Sequence, residues 1–187
     1  MKNLTLATLL ALLPGLASAG AIEDGMKAFV DQEVRAKLTD PMVIAAVKGA
    51  NASGATLAPN DILALDGQWR AEIGKESALI KGVVENPTSA LLRDYVDASE
   101  GKITEVIIMD AQGLNVAVSD VTSDYWQGDE EKHQKTFGVG PDAIHVSEVE
   151  FDESTQSYQA QVSFTIIDPA TGAGIGAATI GLNAEFF

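Results

Sequence analysis

Tyr125-Trp126-Gln127-Gly128-Asp129 sets two flat aromatic surfaces, hydrogen-bonding groups and a carboxylate side by side. Small-ligand pockets are built from such mixtures of apolar wall and a few polar groups. By composition alone, Trp126 either closes over a ligand or caps the core beneath its loop. A core tryptophan sits on an apolar stripe, as Trp69 does with Ile62, Leu65 and Ile73. Trp126 has no such stripe, which favours the ligand. Asp129 precedes a short helix whose free N–H groups suit an anion, while its own carboxylate suits an ammonium. An amino acid uses both.

Catalytic chemistry is harder to assemble. His133 follows Asp129 at helical spacing, the relation of a general base to its orienting carboxylate, but no nucleophile accompanies the pair. A zinc site needs three or four ligands at recognisable spacing. The chain has only His133 and His145, in different elements, and no cysteine. Asp124, Asp129, Glu130 and Glu131 do not have EF-hand spacing. There is no nucleophile elbow, P-loop or dinucleotide-binding motif. The expectation is a protein without catalytic residues, metal site or cofactor.

The elements around this loop switch from helical to strand periodicity near Ile103. Ile103–Met109 reads as a central strand, Asp110-Ala111-Gln112-Gly113 as a turn, and Leu114 to Ser119 as the returning strand of a hairpin. Asp129 is placed to cap a short helix over Glu130–Phe137. Ile144 to Phe151 is a third strand whose alternation slips near Ser147, the mark of a bulge. Tyr158 to Ile166 alternates cleanly, and Ile175 to Phe186 is the last strand. Its small residues, Gly174, Gly176, Ala177, Ala178 and Gly181, leave room for something to approach the sheet.

Upstream, helices support the sheet. Ile22, Met26, Phe29, Val30, Val34 and Leu38 form one helical stripe within residues 22–50. Asp40-Pro41 starts a second helix or a kinked continuation to Lys48. Asn60-Asp61 is expected to cap a third helix. Residues 77–84 and 88–98 give two more, the latter capped by Thr88 or Ser89. The fold class is α+β: residues 20–102 helical, and 103–187 a five-stranded antiparallel sheet with a lid loop and short helix.

The ends and the charge bound the setting. Lys2, the apolar run Leu4 to Leu13 and Ala17-Ser18-Ala19 have the pattern of a cleaved export signal over residues 1–19. A protein exported to a bacterial periplasm follows, as one domain over 20–187 with no later membrane-spanning stretch. The formal net charge of −15 argues against nucleic acid and anionic lipid as partners.

The hairpin, lid and closing strands together resemble the Cache domain, the PAS-like extracellular sensor module of bacterial receptors. Val106 to Gly113 followed by Val116-Ala117-Val118-Ser119 is similar to that family's opening hairpin, with its D-x-x-G turn and closing serine. Gly128-Asp129 before a helix ending in Phe137 is similar to its lid segment. Val149–Ser154, Val162–Asp168 and Ile175–Asn183 are similar to its last three strands. Residues 103–186 carry the likeness, and the helical N-terminus matches the family's long leading helix. The resemblance implies a single-Cache fold binding a small organic acid, amino acid or amine between sheet and lid. By position it implies Tyr125, Trp126, Asp129, His133, His145, Tyr158 and Thr179 as pocket residues. It departs at Asn183, which stands where an acidic residue is frequent.

The function expected is a non-enzymatic periplasmic sensor that passes its state to a membrane receptor or kinase. The alternative is a structural or assembly protein that forms a homodimer through residues 22–38 and holds no ligand. An enzyme resting on His133 and Asp129 is the third reading.

Overall fold

The structure, a computed structural model, describes residues 16–152 and 156–187, with side chains from residue 20 onward. The export signal expected over 1–19 lies outside these residues, apart from the helical backbone of its last four. Helices come first: α1 (Leu16–Phe29), α2 (Pro41–Gly54), α3 (Pro59–Glu72), α4 (Ala78–Val84) and α5 (Pro87–Asp97). The sheet follows as β1 (Ile103–Met109), β2 (Asn115–Val118), β3 (Ile144–Val146), β4 (Glu150–Asp152), β5 (Ser157–Ile167) and β6 (Gly174–Asn183). A short α6 (Glu131–Gln134) lies between β2 and β3. All pairings are antiparallel, in the order β2-β1-β6-β5-β3, with β4 also on β5. This is the α+β, PAS-like arrangement expected from the sequence.

The N-terminal stripe is covered by the chain's own sheet. Met26, Val30, Val34 and Leu38 are buried with Val162, Phe164, Ile180 and Leu182. Of the two partners such a stripe can have, a second copy or the sheet of its own domain, it has the sheet, and nothing in this packing supports the homodimer expected through residues 22–38. Its helix is not continuous to residue 50. Val30–Val34 opens into a π turn, Lys37–Thr39 tightens into a 3₁₀ turn, and Asp40 then caps α2 by accepting from Met42 N at 2.8 Å. Pro41 fits the first helical position because it has no N–H to satisfy there.

Three boundaries differ from the sequence reading for tertiary or capping reasons. α2 continues past Lys48 because Asn51 joins two strand ends: its Nδ2 donates to Ile175 O at 2.7 Å, and its Oδ1 accepts from Ala111 N at 2.8 Å. α3 begins at Pro59, and Asp61 reaches back to accept from Ala58 N at 3.0 Å rather than forming the cap itself with Asn60. Ile73 lies past the end of that helix and is exposed. α5 is capped by Asn86, which accepts from Ser89 N at 2.9 Å, so Thr88 and Ser89 lie inside the helix and are buried.

The third strand is two strands. Between Val146, opposite Val162, and Glu150, opposite Gln159, the outer chain carries one residue more than β5, the count of a bulge. Ser147 bridges the break: its N–H donates to Gln161 O, and its Oγ accepts from Gln161 N, both at 2.9 Å. A side-chain oxygen thus substitutes for the ladder carbonyl.

The small residues of β6 do leave room, and the chain itself fills it. A Cβ at Gly176 would lie 2.2 Å from Met109 O and 3.1 Å from Val47 Cγ1. Backbone on one side and helix on the other leave a methyl nowhere to go. Gly176→Ala is expected to cost about 1–3 kcal/mol by overpacking and to lower Tm by roughly 3–10 °C. Differential scanning calorimetry showing an unchanged Tm would contradict this packing.

Candidate functional site

The sheet has two unlike sides. One packs on α1 and α2 through Val106, Ile108, Val162, Phe164, Ile180 and Leu182. Strand alternation turns their neighbours to the other side, beneath residues 119–143. There His145, Ser163, Thr179 and Ile107 stand opposite one another in one row, and Gln161, Gly181 and Glu105 in the next. Ser163 and Thr179 are buried, with their hydroxyl oxygens 2.9 Å apart. Gln161 Nε2 donates to Glu105 Oε1 at 2.7 Å. This polar floor is what the sheet presents on that side.

The lid is held over that floor from two sides. On one side, α3 supplies Asp66, Trp69 and Arg70. Asp66 is buried, and its Oδ1 accepts from the backbone N–H groups of Tyr125 and Trp126 at 2.9 and 3.1 Å. Arg70 pairs with Asp66 at 2.7 Å and with Asp124 at 3.2 Å. Trp69 Nε1 donates to Thr122 O at 2.8 Å. On the other side, the β1–β2 turn accepts three bonds from the lid. Trp126 Nε1 donates to Gln112 O at 2.7 Å, Gln127 N to Gly113 O at 2.8 Å, and His133 Nε2 to Asp110 O at 3.2 Å.

Between lid and floor runs a polar cleft. Three adjoining cavities of about 570, 360 and 230 Å³ share Lys132 and Gln161 in their walls. Glu105 lines the first and last, and Ser163 and His145 the middle one. Glu130, Glu131, Glu148 and Glu150 add negative charge around the mouth. The Lys132 side chain is 14% exposed and pairs with Glu130 at 3.0 Å. The cleft thus carries both signs of charge with hydroxyl and amide groups between them.

The residues singled out in the sequence are only partly brought together. Asp129 and His145 line the middle cavity, and Thr179 lies in its floor row beside Ser163. His133 is buried on the underside of the lid, 5.4 Å from the Phe137 ring. Tyr125 stacks on Trp69 at 5.3 Å, in the small core formed with Ile107, Met109 and Val118. Trp126 turns back on its own loop: a Cβ at Gly128 would lie 2.3 Å from its Nε1. Tyr158 is half exposed against Phe151, and strand alternation puts it on the helix side with Ala160 and Val162. Asp129 is exposed and does not cap the helix; α6 begins at Glu131, with Glu130 before it.

Lys132, Glu105, Gln161 and Ser163 line the cleft and were not singled out. The pattern of β5 does put Gln161 and Ser163 on one face together, which was a usable signal. Nothing local marks Lys132 among its acidic neighbours. Among the described residues no cluster of three or more His, Asp or Glu is placed to hold a metal ion.

Burial sets the protonation of the groups around the contact of lid and turn. Loss of solvent lowers the affinity of His133 for a proton, against the Asp110 carbonyl and carboxylate, which raise it. Desolvation raises the Asp110 carboxyl, although backbone N–H groups of Leu114, Gln112 and Gly113 pull it down. It also raises Tyr125, with the Asp110 charge adding to the effect. His145 is lowered by desolvation and by Lys135, with Glu131, 3.4 Å away, acting in the opposite sense.

No protein-family profile matches the sequence, and comparison with curated proteins finds no match. Among solved structures, the sensor domain of the V. cholerae histidine kinase DctB aligns with 89% of this chain and 54% of its own, at 9% identity and a TM-score of 0.47. The sensory domain of the Campylobacter jejuni chemoreceptor Tlp3 aligns with 91% of this chain and 65% of its own, at 13% identity and 0.42. The ligand-binding domain of the Pseudomonas aeruginosa amino acid chemoreceptor PctC, in complex with GABA, aligns with 79% and 57%, at 14% identity and 0.37. The chain spans less than two thirds of the length of these domains. No helix among the described residues is long and apolar enough to cross a membrane.

Two outcomes test how the lid is held. Asp66→Ala leaves two lid N–H groups and Arg70 without their shared acceptor, at a cost of about 2–4 kcal/mol. Hydrogen exchange should quicken at Tyr125 and Trp126 well beyond the change at β6 amides; an equal change throughout would mean that Asp66 does not hold the lid. His133 titrates below its unfolded value, so between that lowered pKa and about 6.5 the unfolded chain binds more protons. Its stabilising contribution is therefore complete above about pH 6.5 and declines as pH falls through this window. Urea titrations of His133→Gln between about pH 7 and 5.5 should show a shallower loss of stability than wild type.

Proposed function

We propose that residues 20–187 form a Cache-like sensor module that binds a small organic acid, amino acid or amine without catalysing its conversion. The ligand lies in the cleft between lid and sheet, and the bound state is passed to a membrane receptor or kinase. The observation that carries this reading is that Lys132 and the hydrogen-bonded Glu105 and Gln161 line the same water-accessible cleft. A carboxylate is served by the lysine and an ammonium by the glutamate, with hydroxyl and amide groups between them to fix orientation. The hairpin, lid and closing-strand motifs of the sequence point to the same kind of module. The export pattern over 1–19 supports a periplasmic setting. His133 is engaged with the Asp110 carbonyl and Phe137, which favours binding over proton-transfer chemistry for the lid.

A thermal-shift screen of amino acids, simple carboxylates and amines tests this reading. At least one class should raise Tm in a concentration-dependent way, as any ligand of the native state must. Lys132→Ala should then weaken a carboxylate-bearing hit by about tenfold, or about 1.4 kcal/mol. Glu105→Gln should do the same for an ammonium-bearing one. A hit that binds both variants as tightly as wild type would move the site away from this cleft.

A further inference from the structure

We infer that a second groove, between α1 with its π turn and the junction of α5 with β1, binds an organic anion with an apolar or aromatic body. The groove has a volume of about 600 Å³, and its walls include Phe29, Lys37, Tyr95, Lys102 and Ile103. It lies away from the lid cleft and shares no lining residue with it.

The argument begins with the disposition of positive charge. In a chain of net charge −15, a lysine ordinarily finds a carboxylate. Lys27, Arg35, Lys48, Arg70, Lys81, Lys132 and Lys135 each do so. Lys75 and Arg93 donate instead to the carbonyls of Ala71 and Val84. Lys37 and Lys102 remain, and among the described residues neither pairs with a carboxylate. Both line this one groove. Each ammonium lies 5.9 Å from the centre of an aromatic ring, Lys37 over Tyr95 and Lys102 over Phe29. The rings hold the charges at the groove without neutralising them.

The class of ligand follows from the remaining walls. Glu33 and Glu100 also line the groove, so a bare inorganic anion meets repulsion as well as attraction. An anion that also buries an apolar body on Phe29, Tyr95 and Ile103 gains what the small ion lacks. The fit is to an amphipathic carboxylate, with its body on the rings and its charge toward the lysines.

The test compares two probes with the same body and opposite charge, 4-phenylbutyrate and 4-phenylbutylamine, by NMR titration of the full chain. The carboxylate should give saturable shifts at the amides of Ala28, Phe29, Ala98 and Lys102, and the amine should not. Replacing both Lys37 and Lys102 by Gln should weaken the carboxylate by about tenfold or more, while Lys75→Gln leaves it unchanged. If the double variant does not fold, Lys37→Gln and Lys102→Gln are titrated singly, each with a smaller loss expected. The inference is overturned by no saturable shift, by an equal response to the amine, or by variants that bind as wild type does. Saturable shifts at the amides of Lys132 and Gln161 in place of those at Ala28, Phe29, Ala98 and Lys102 would also overturn it, by placing the probe in the lid cleft.

Discussion

The lid hangs from backbone carbonyls of the turn between β1 and β2. Carbonyls in a surface turn ordinarily face water; here Asp110, Gln112 and Gly113 each accept from the lid. The turn can serve this way because it is fixed from within. Asp110 Oδ1 accepts from Gln112 N and Leu114 N at 2.8 and 2.9 Å, and Asn51 on α2 holds Ala111 N. It also needs the lid to come very close. Gly113 has φ +85°, and a Cβ there would lie 2.4 Å from Gly128 Cα. Any side chain at that position would push the two backbones apart and break the three bonds together.

That closeness explains why the two sides of one sheet differ. The helix side is sealed by α1 and α2 and filled with aliphatic side chains. The lid is tied down over Tyr125, Trp126 and Gln127 and again at His133, and the cleft over Glu105, Gln161 and Ser163 is left unfilled by the segment between, Asp129 to Lys132. Polar side chains on that floor satisfy one another, as Gln161 with Glu105 and Ser163 with Thr179 do. A floor of Val and Leu would instead draw the lid down and close the cleft.

What was legible in the sequence was whatever a local period or a local cap encodes. The Met26–Leu38 stripe, the strand boundaries of β1 and the alternation of β5 all follow from spacing, and each is in place. The start of α3 was misread because Asp61 bonds backward to Ala58 N, and a carboxylate near a helix start fits either role. Trp126 was legible as unusual but not in direction. Its indole is aimed by Gln112 O and Gly128, and the hairpin that brings Gln112 alongside is a long-range fact. Lys132 was invisible for the same reason: its significance lies in facing a floor built from strands far away in sequence.

The ties that hold the lid and the groups that line the cleft are different sets of atoms. Asp66 takes main-chain N–H groups, and the turn's main-chain oxygens take Gln127 N and the side chains of Trp126 and His133. Asp129, Glu131 and Lys132 face the cleft and make none of those ties. Substitutions at the cleft can therefore accumulate without loosening the lid. A lineage carrying this scaffold is free to change the charge and shape of the cleft at Asp129, Glu131 and Lys132, while selection for folding acts elsewhere.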